Sequence, residues 1–187
     1  MRLFTAIDIS AEVREHLRMF VGRLKPLARF SWSPAENLHI TTKFIGEWEQ
    51  SRLDEIKAVL TTVPPTGPID ISIRGIGWFP TAQRPRVFWA GVEASESLRT
   101  LAANTEAATG RAGVPLEDRT YSPHLTLARI REPLPLDAIR KELEAKPKAS
   151  GAAPAEKFDF GTFRATGFHL YLSAAGRYTR LAEFSLI

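Results

Sequence analysis

The amino-acid sequence predicts an α+β fold with largely antiparallel sheets. Helix-patterned and strand-patterned segments alternate along the chain, and short connections rich in glycine and proline join several strands directly. A doubly wound parallel sheet is disfavoured, because Gly75-Ile76-Gly77 lacks the third glycine and the following helix of a dinucleotide-binding turn. The length fits one domain, residues 1–187, which is either compact or divided into two lobes.

The individual elements follow from the spacing of apolar residues, which recur at three and four positions in helices and alternate or run together in strands. Ser10 and Pro26 stand where the first helix should begin and end. Residues 61–68 and 146–157 are predicted loops, the second of them mobile, and residues 175–176 form a predicted turn. In chain order the sequence predicts a strand at 3–9, a helix at 11–25, a strand at 38–45, a helix at 51–60 capped by Ser51, strands at 69–79 and 87–92, a helix from Ser95 or Ser97 to about Thr109 that Gly110 ends, a strand at 124–130, a helix at 136–145, and strands at 158–160, 163–173 and 178–186.

Composition excludes several classes of protein. The chain has no cysteine, which rules out disulfide frameworks, thiolate metal sites and a cysteine nucleophile. Apolar runs fall short of the roughly 18 residues of a membrane span. The first residues reach Asp8 too early for a signal peptide, so we expect a cytoplasmic protein. The net charge of +4 is a mild excess carried mostly by arginine, compatible with a polyanionic substrate or with an ordinary basic surface.

Two of the four histidines stand in matching contexts. His39 and His124 are each followed by threonine at the second position, isoleucine at the sixth and glutamate at the eighth, and they lie almost half the chain apart. This similarity indicates a duplicated structural unit. Strand side chains alternate between faces, so His39 and Thr41 should share one face, as should His124 and Thr126. If the two units face each other, both pairs converge on one cleft.

Such a set of side chains suits phosphoryl transfer. An imidazole has an ordinary pKa of about 6.5, so one histidine can accept a proton from water while the other donates one to the leaving oxygen. Thr41 and Thr126 can donate hydrogen bonds to phosphate oxygens. Arg129 lies five residues after His124 and therefore points to the opposite face, unless a bulge redirects it towards the phosphate.

Other candidate residues have simpler explanations. His16 is predicted to have a surface or structural role, and His169 to pack at the edge of the core. A zinc site would need a third ligand besides the two histidines, which no spacing supplies. Asp8, Glu47 and Glu132 could orient a histidine, although strand alternation does not require it. Five aromatic residues could stack on a base, although most should lie in the core: Phe4, which is the best placed, and Trp32, Trp78, Phe79 and Trp89.

The paired motifs resemble those of the two-histidine phosphoesterase superfamily, and more closely those of its RNA 2′,3′-cyclic phosphodiesterase, or 2′-5′ RNA ligase, family. The resemblance extends over nearly the whole chain. It includes the opening Arg2-Leu3-Phe4-Thr5-Ala6-Ile7, the segment Asn37-Leu38-His39, Pro85-Arg86-Val87-Phe88-Trp89, Tyr121-Ser122-Pro123-His124-Leu125-Thr126 and Leu170-Tyr171-Leu172-Ser173.

This resemblance implies a bilobal fold of two pseudo-symmetric antiparallel sheets, with helices on the outer faces and one motif from each lobe lining a central cleft. It implies opening of a 2′,3′-cyclic phosphate to a 2′-phosphate without metal or cofactor, with 2′-5′ ligation as the reverse reaction. His39 would be the proton donor and His124 the proton acceptor, while Thr41, Thr126 and Arg129 would bind phosphate. Thr42 departs from the apolar residue usual in the family and should change packing only.

The expected partners are RNA or nucleotide ends with a 2′,3′-cyclic phosphate, bound by a monomer without membrane contact. Two alternatives remain at this point. One is a phosphodiesterase for another substrate, such as ADP-ribose 1″,2″-cyclic phosphate or a 2′-5′ oligonucleotide. The other is a non-catalytic RNA-binding module.

Overall fold

Two antiparallel sheets form the framework of the protein in a computed structural model, which describes residues 1–132, 135–145 and 158–187. The predicted α+β class is therefore confirmed. The helices are α1 (Ala11–Leu24), α2 (Leu53–Thr61), α3 (Glu96–Arg111) and α4 (Asp137–Glu144), and the strands are β1 (Arg2–Asp8), β2 (Ser31–Trp32), β3 (His39–Glu47), β4 (Ile69–Phe79), β5 (Val87–Ala94), β6 (His124–Arg129), β7 (Asp159–Ala165), β8 (Gly167–Ala174) and β9 (Arg177–Ser185).

The two sheets do not correspond to the two halves of the chain. One has four strands in the order β3-β1-β8-β9, and the other has five in the order β2-β6-β5-β4-β7. β8 thus pairs with the first strand, β1, and β9 pairs with β8 at the edge of the sheet. His39 lies on the four-stranded sheet and His124 on the five-stranded sheet, so each motif belongs to a different sheet.

The helices cross between the sheets in a similar way. α1 follows β1 in sequence but packs on β7 of the five-stranded sheet, and α3 follows β5 but packs on β3 of the four-stranded sheet. The α1 contact is aromatic, since the ring of Phe20 lies 5.1 Å from that of Phe160. His16 Nδ1 donates a hydrogen bond to the backbone oxygen of Phe160 at 3.0 Å, which fits its predicted structural role.

Most predicted elements agree with the structure within a few residues, but four details were wrong. The strands predicted at 158–160 and 163–173 are divided differently, because β7 continues from Asp159 to Ala165 and β8 begins after Thr166. The short strand β2 was not predicted. Ser51 does not cap α2, whose N-cap is Arg52. Gly110 does not end α3, which continues to Arg111.

Two further predictions concern a loop and a turn in the last third of the chain. The loop predicted at 146–157 falls outside the described residues. The turn at 175–176 is confirmed, and both Ala175 and Gly176 have positive φ angles, of 48° and 76°. No helix in the described part of the chain is long and apolar enough to cross a membrane.

Candidate active site

The two sheets meet where β3 contacts β6, so the strands that carry the two His-x-Thr motifs are neighbours in space. Ile40 and Leu125 are fully buried, whereas the histidine and threonine on either side of each are only half-buried. The predicted alternation is thus present on both strands. Apolar residues hold each strand against the core, and the polar residues share the opposite face.

A β-bulge follows each motif at the same position. In the pairing of β1 with β3, Ala6 lies opposite Thr41 and Thr5 opposite Lys43, which leaves Thr42 as the extra residue. In the pairing of β5 with β6, Thr126 and Ala128 have neighbouring partners, which leaves Leu127 as the extra residue. The similarity of the two units therefore extends to their backbone irregularity.

These bulges decide where the fifth residue after each histidine points. An extra residue reverses the alternation, so position five returns to the face of the histidine. Arg129 and Phe44 occupy this position, and both are exposed. The bulge that Arg129 needs in order to point towards the phosphate is therefore present. Thr42 is buried, and its hydroxyl shares a hydrogen bond of 2.7 Å with that of Thr5.

Both histidines are held in the same tautomer by the backbone. His39 Nδ1 donates to the carbonyl of Asn37 at 2.6 Å, and His124 Nδ1 donates to the carbonyl of Ser122 at 2.8 Å. In each neutral imidazole the proton therefore resides on Nδ1 and leaves Nε2 free to exchange protons. His39 Nε2 lies 3.1 Å from the hydroxyl of Thr41, which can donate to it.

Burial lowers the pKa of both histidines below the ordinary value. For His39 the Asn37 carbonyl and the Asp8 carboxylate act in the opposite direction and raise the pKa, while the charges of Arg129 and His124 lower it further. For His124 the Ser122 carbonyl raises the pKa, and Arg129 lowers it. His39, His124 and Arg129 are therefore close enough to interact electrostatically.

Aromatic rings support each imidazole. The ring of His39 lies 4.8 Å from that of Phe4 and meets the edge of Tyr178 at 5.2 Å. The ring of His124 meets Phe79 edge-on at 5.1 Å. A cavity of about 290 Å³ opens beside His39, with Phe4, Tyr178 and Asp8 among its lining residues.

Two polar contacts connect β3 to the rest of the molecule. Tyr121 precedes the second motif, and its hydroxyl donates to the backbone oxygen of Thr41 in the first motif at 2.9 Å. Burial raises the pKa of Tyr121, so its hydroxyl stays protonated. Lys43 is buried, and its ammonium donates to Glu106 on α3 at 2.8 Å and to the carbonyl of Pro115 at 2.8 Å. The Tyr121 contact links the first motif to the segment before the second, and the Lys43 contacts link it to α3 and the chain that follows α3.

Comparison with known proteins identifies the family. The model of the 2′-5′ RNA ligase superfamily matches residues 13–177, which is most of the chain. The chain belongs to the 2′-5′ RNA ligase superfamily. The resemblance seen in the sequence motifs is thereby confirmed.

Relatives within this superfamily are similar over most of their length. A Methanocaldococcus jannaschii protein named RNA 2′,3′-cyclic phosphodiesterase is 33% identical over 174 residues, covering 92% of this chain and 91% of that protein. The Archaeoglobus fulgidus protein of the same name is 34% identical over 143 residues, covering 75% and 80%. Among solved structures, TT0787 of Thermus thermophilus has a TM-score of 0.76 at 30% identity, covering 100% of this chain and 98% of that one. Escherichia coli LigT complexed with 3′-AMP has a TM-score of 0.73 at 26% identity, covering 98% and 97%.

Most other residues considered from the sequence lie away from the superfamily motifs. Trp32 and Trp78 pack around the buried Phe88. Glu47 lies at the far end of β3, near the amino terminus. Phe4 lines the cavity but is 4% exposed, because neighbouring rings cover it. Its base-stacking role stays a prediction. Glu132 is exposed.

Several residues of the site were not predicted from the sequence. Tyr178 and Tyr171 line the cavity beside His39, and Arg180 lies next to them. They come from β8 and β9, and no periodicity links these strands to the motifs. The Tyr121 contact was missed too, although Tyr121 and Tyr171 both lay within strings that resembled the superfamily. Within the described ranges, no three histidine, aspartate or glutamate side chains form a group that could bind a metal ion.

Proposed function

We propose that this protein opens 2′,3′-cyclic phosphates at RNA or nucleotide ends to 2′-phosphates, with its two histidines as acid and base and without a metal ion. The observation that carries the proposal is the pair of His-x-Thr strands, each with Nε2 available and Arg129 acting on both imidazoles. The names of the M. jannaschii and A. fulgidus relatives support the same reaction.

The reaction needs one proton removed and one supplied. His124, neutral at Nε2, takes a proton from water as the water oxygen bonds to phosphorus. The bond between phosphorus and O3′ breaks, and protonated His39 gives its Nε2 proton to O3′. The product is a 2′-phosphate with a free 3′-hydroxyl. Each proton transfer contributes roughly 100- to 10,000-fold to the rate.

The phosphate would be bound by the groups around the histidines. Arg129 offers a planar guanidinium to the anionic oxygens, and Thr41 and Thr126 offer hydroxyl donors on the same faces as the histidines. The bound anion lies near both imidazoles and raises the pKa of each, which offsets the effect of burial. With a 5′-hydroxyl in place of water, its oxygen bonds to phosphorus as the bond to O3′ breaks, and a 2′-5′ bond forms. Cytoplasmic location and a monomeric state stay predictions.

The test is incubation with a defined oligonucleotide ending in a 2′,3′-cyclic phosphate, followed by identification of the product isomer. We expect a 2′-phosphate, formed equally well in EDTA. His39→Ala and His124→Ala should each abolish turnover and retain binding. His16→Ala should retain turnover, because His16 lies outside the cleft. A 3′-phosphate product or loss of activity in EDTA would contradict the mechanism.

Failure to turn over this oligonucleotide would point to the alternatives. Turnover of ADP-ribose 1″,2″-cyclic phosphate or a 2′-5′ oligonucleotide in its place would indicate a phosphodiesterase with another substrate. Binding of RNA without turnover of any of them would indicate a non-catalytic module.

A further inference from the structure

The two motif strands match closely, so the fold by itself does not say which histidine should be protonated. We propose that Asp8 makes this choice: its carboxylate, which lies beside His39 and not beside His124, holds the proton on His39 and leaves His124 as the base. The proposal rests on the proposed function and adds Asp8 to it as a positioning residue for the proton.

Strand pairing places Asp8 beside His39. In the antiparallel ladder of β1 and β3, Asp8 lies directly opposite His39. Directly opposed residues project from the same face of a sheet, with Cβ atoms about 5 Å apart. Both side chains line the same cavity. The carboxylate therefore lies on the same face of the sheet as the imidazole and lines the same cavity.

The corresponding position on the other sheet has no carboxylate. The residue opposite His124 in the ladder of β5 and β6 is Gly91. A Cβ atom there would lie 2.2 Å from the carbonyl oxygen of Arg74, so the backbone leaves no space for any side chain. The two units therefore differ at the position next to the histidine: a carboxylate on one strand and a glycine on the other.

The Asp8 carboxylate is held in place. The Tyr171 hydroxyl donates to its Oδ1 at 2.5 Å, and the Arg180 guanidinium donates to its Oδ2. Its side chain is 28% exposed, so water screens it only in part. Tyr171 also stacks on Phe4, with 5.4 Å between ring centroids, and Phe4 contacts His39. The same cluster thus positions both the carboxylate and the imidazole.

The charged neighbours of the two histidines differ in the same sense. Arg129 lowers the pKa of both, but the carboxylate of Asp8 opposes this effect at His39 alone. Farther out, the exposed carboxylate of Glu183 approaches His169 at 3.8 Å. The other titratable groups around the cavity and Asp8 are Arg14, Glu36, His169, Tyr171, Tyr178 and Arg180.

The consequence concerns a single shared proton. The reaction needs one imidazolium and one neutral imidazole, and the anionic substrate favours protonation of both. The negative charge of Asp8, present beside His39 and absent beside His124, favours the proton on His39 as pH rises. His39 then protonates the leaving oxygen, and His124 accepts the proton from water.

The test is to titrate both imidazoles by NMR in the free protein and in Asp8→Asn, which removes the charge but keeps an oxygen that can accept from Tyr171. We expect the His39 titration midpoint to move to lower pH, while that of His124 does not fall. The alkaline limb of the kcat–pH profile should move with it. At a fixed pH above the midpoint, kcat should fall about tenfold for each pH unit by which the midpoint moves down. Glu183→Gln removes the same charge from the same cluster and should leave the His39 midpoint in place.

An unchanged His39 midpoint in Asp8→Asn, or an equal movement in Glu183→Gln, would overturn the proposal. Asp8→Ser gives the same comparison if the asparagine variant does not fold. NMR titration does not depend on turnover. A wild-type protein that fails on the cyclic phosphate therefore refutes the proposed function, whereas an active one with an unresponsive His39 refutes the role of Asp8 alone.

Discussion

The hydrogen bond from Tyr121 to Thr41 connects the two motifs, and Tyr121→Phe tests its importance. Tyr121 lies three residues before His124, and Thr41 lies two residues after His39, so this bond of 2.9 Å links the backbone beside both histidines. Phenylalanine keeps the ring and removes only the donor. A hydrogen bond of this kind contributes about 1 kcal/mol to the free energy of unfolding. Because misplacement by about 1 Å can slow catalysis roughly 100-fold, we expect kcat to fall by 10-fold or more.

The measurements are kcat on the cyclic phosphate and urea unfolding, compared with a matched control. Thr105→Val also removes a buried hydroxyl that donates to a carbonyl, at 2.8 Å, but within α3. It should cost a similar free energy of unfolding and leave kcat unchanged. If Tyr121→Phe lowers stability by about 1 kcal/mol while kcat stays within twofold, this bond does not set the alignment of the motifs.

Three further predictions concern charged groups. Arg129→Ala should weaken oligonucleotide binding and reduce its dependence on log salt concentration by about one unit of slope, whereas an unchanged slope would place this guanidinium away from the phosphates. Glu106→Ala leaves the buried lysine ammonium of β3 without its carboxylate and should lower the free energy of unfolding in urea by about 3 kcal/mol, whereas Asp70→Ala, which breaks an exposed pair, should lower it much less. Since burial lowers the pKa of His39 and His124, the unfolded chain binds more protons, so the unfolding free energy should decrease as pH falls below about 6.5. Replacing both histidines by glutamine should reduce this pH dependence, and an undiminished dependence would assign it to other groups.

Much of the site follows from local sequence because strand alternation is a local property. The spacing of His39 and Thr41, repeated at His124 and Thr126, fixes which side chains share a face whatever the strands pair with. Arg129 is a residue that strand alternation alone places incorrectly. Alternation places it on the face opposite His124, and only the bulge at Leu127, a property of pairing with β5, returns it to the face of that histidine.

The sequence by itself determined the α+β class, most of the elements and the two polar faces, because apolar periodicity and motif spacing depend on neighbours along the chain. Tertiary structure alone decided the arrangement around those faces: β8 joining β1, Tyr121 reaching Thr41, and Asp8 rather than a glycine standing opposite a histidine. These contacts join residues far apart in the chain, and their partners are set by sheet order and register. Alternation within one strand carries no information about either.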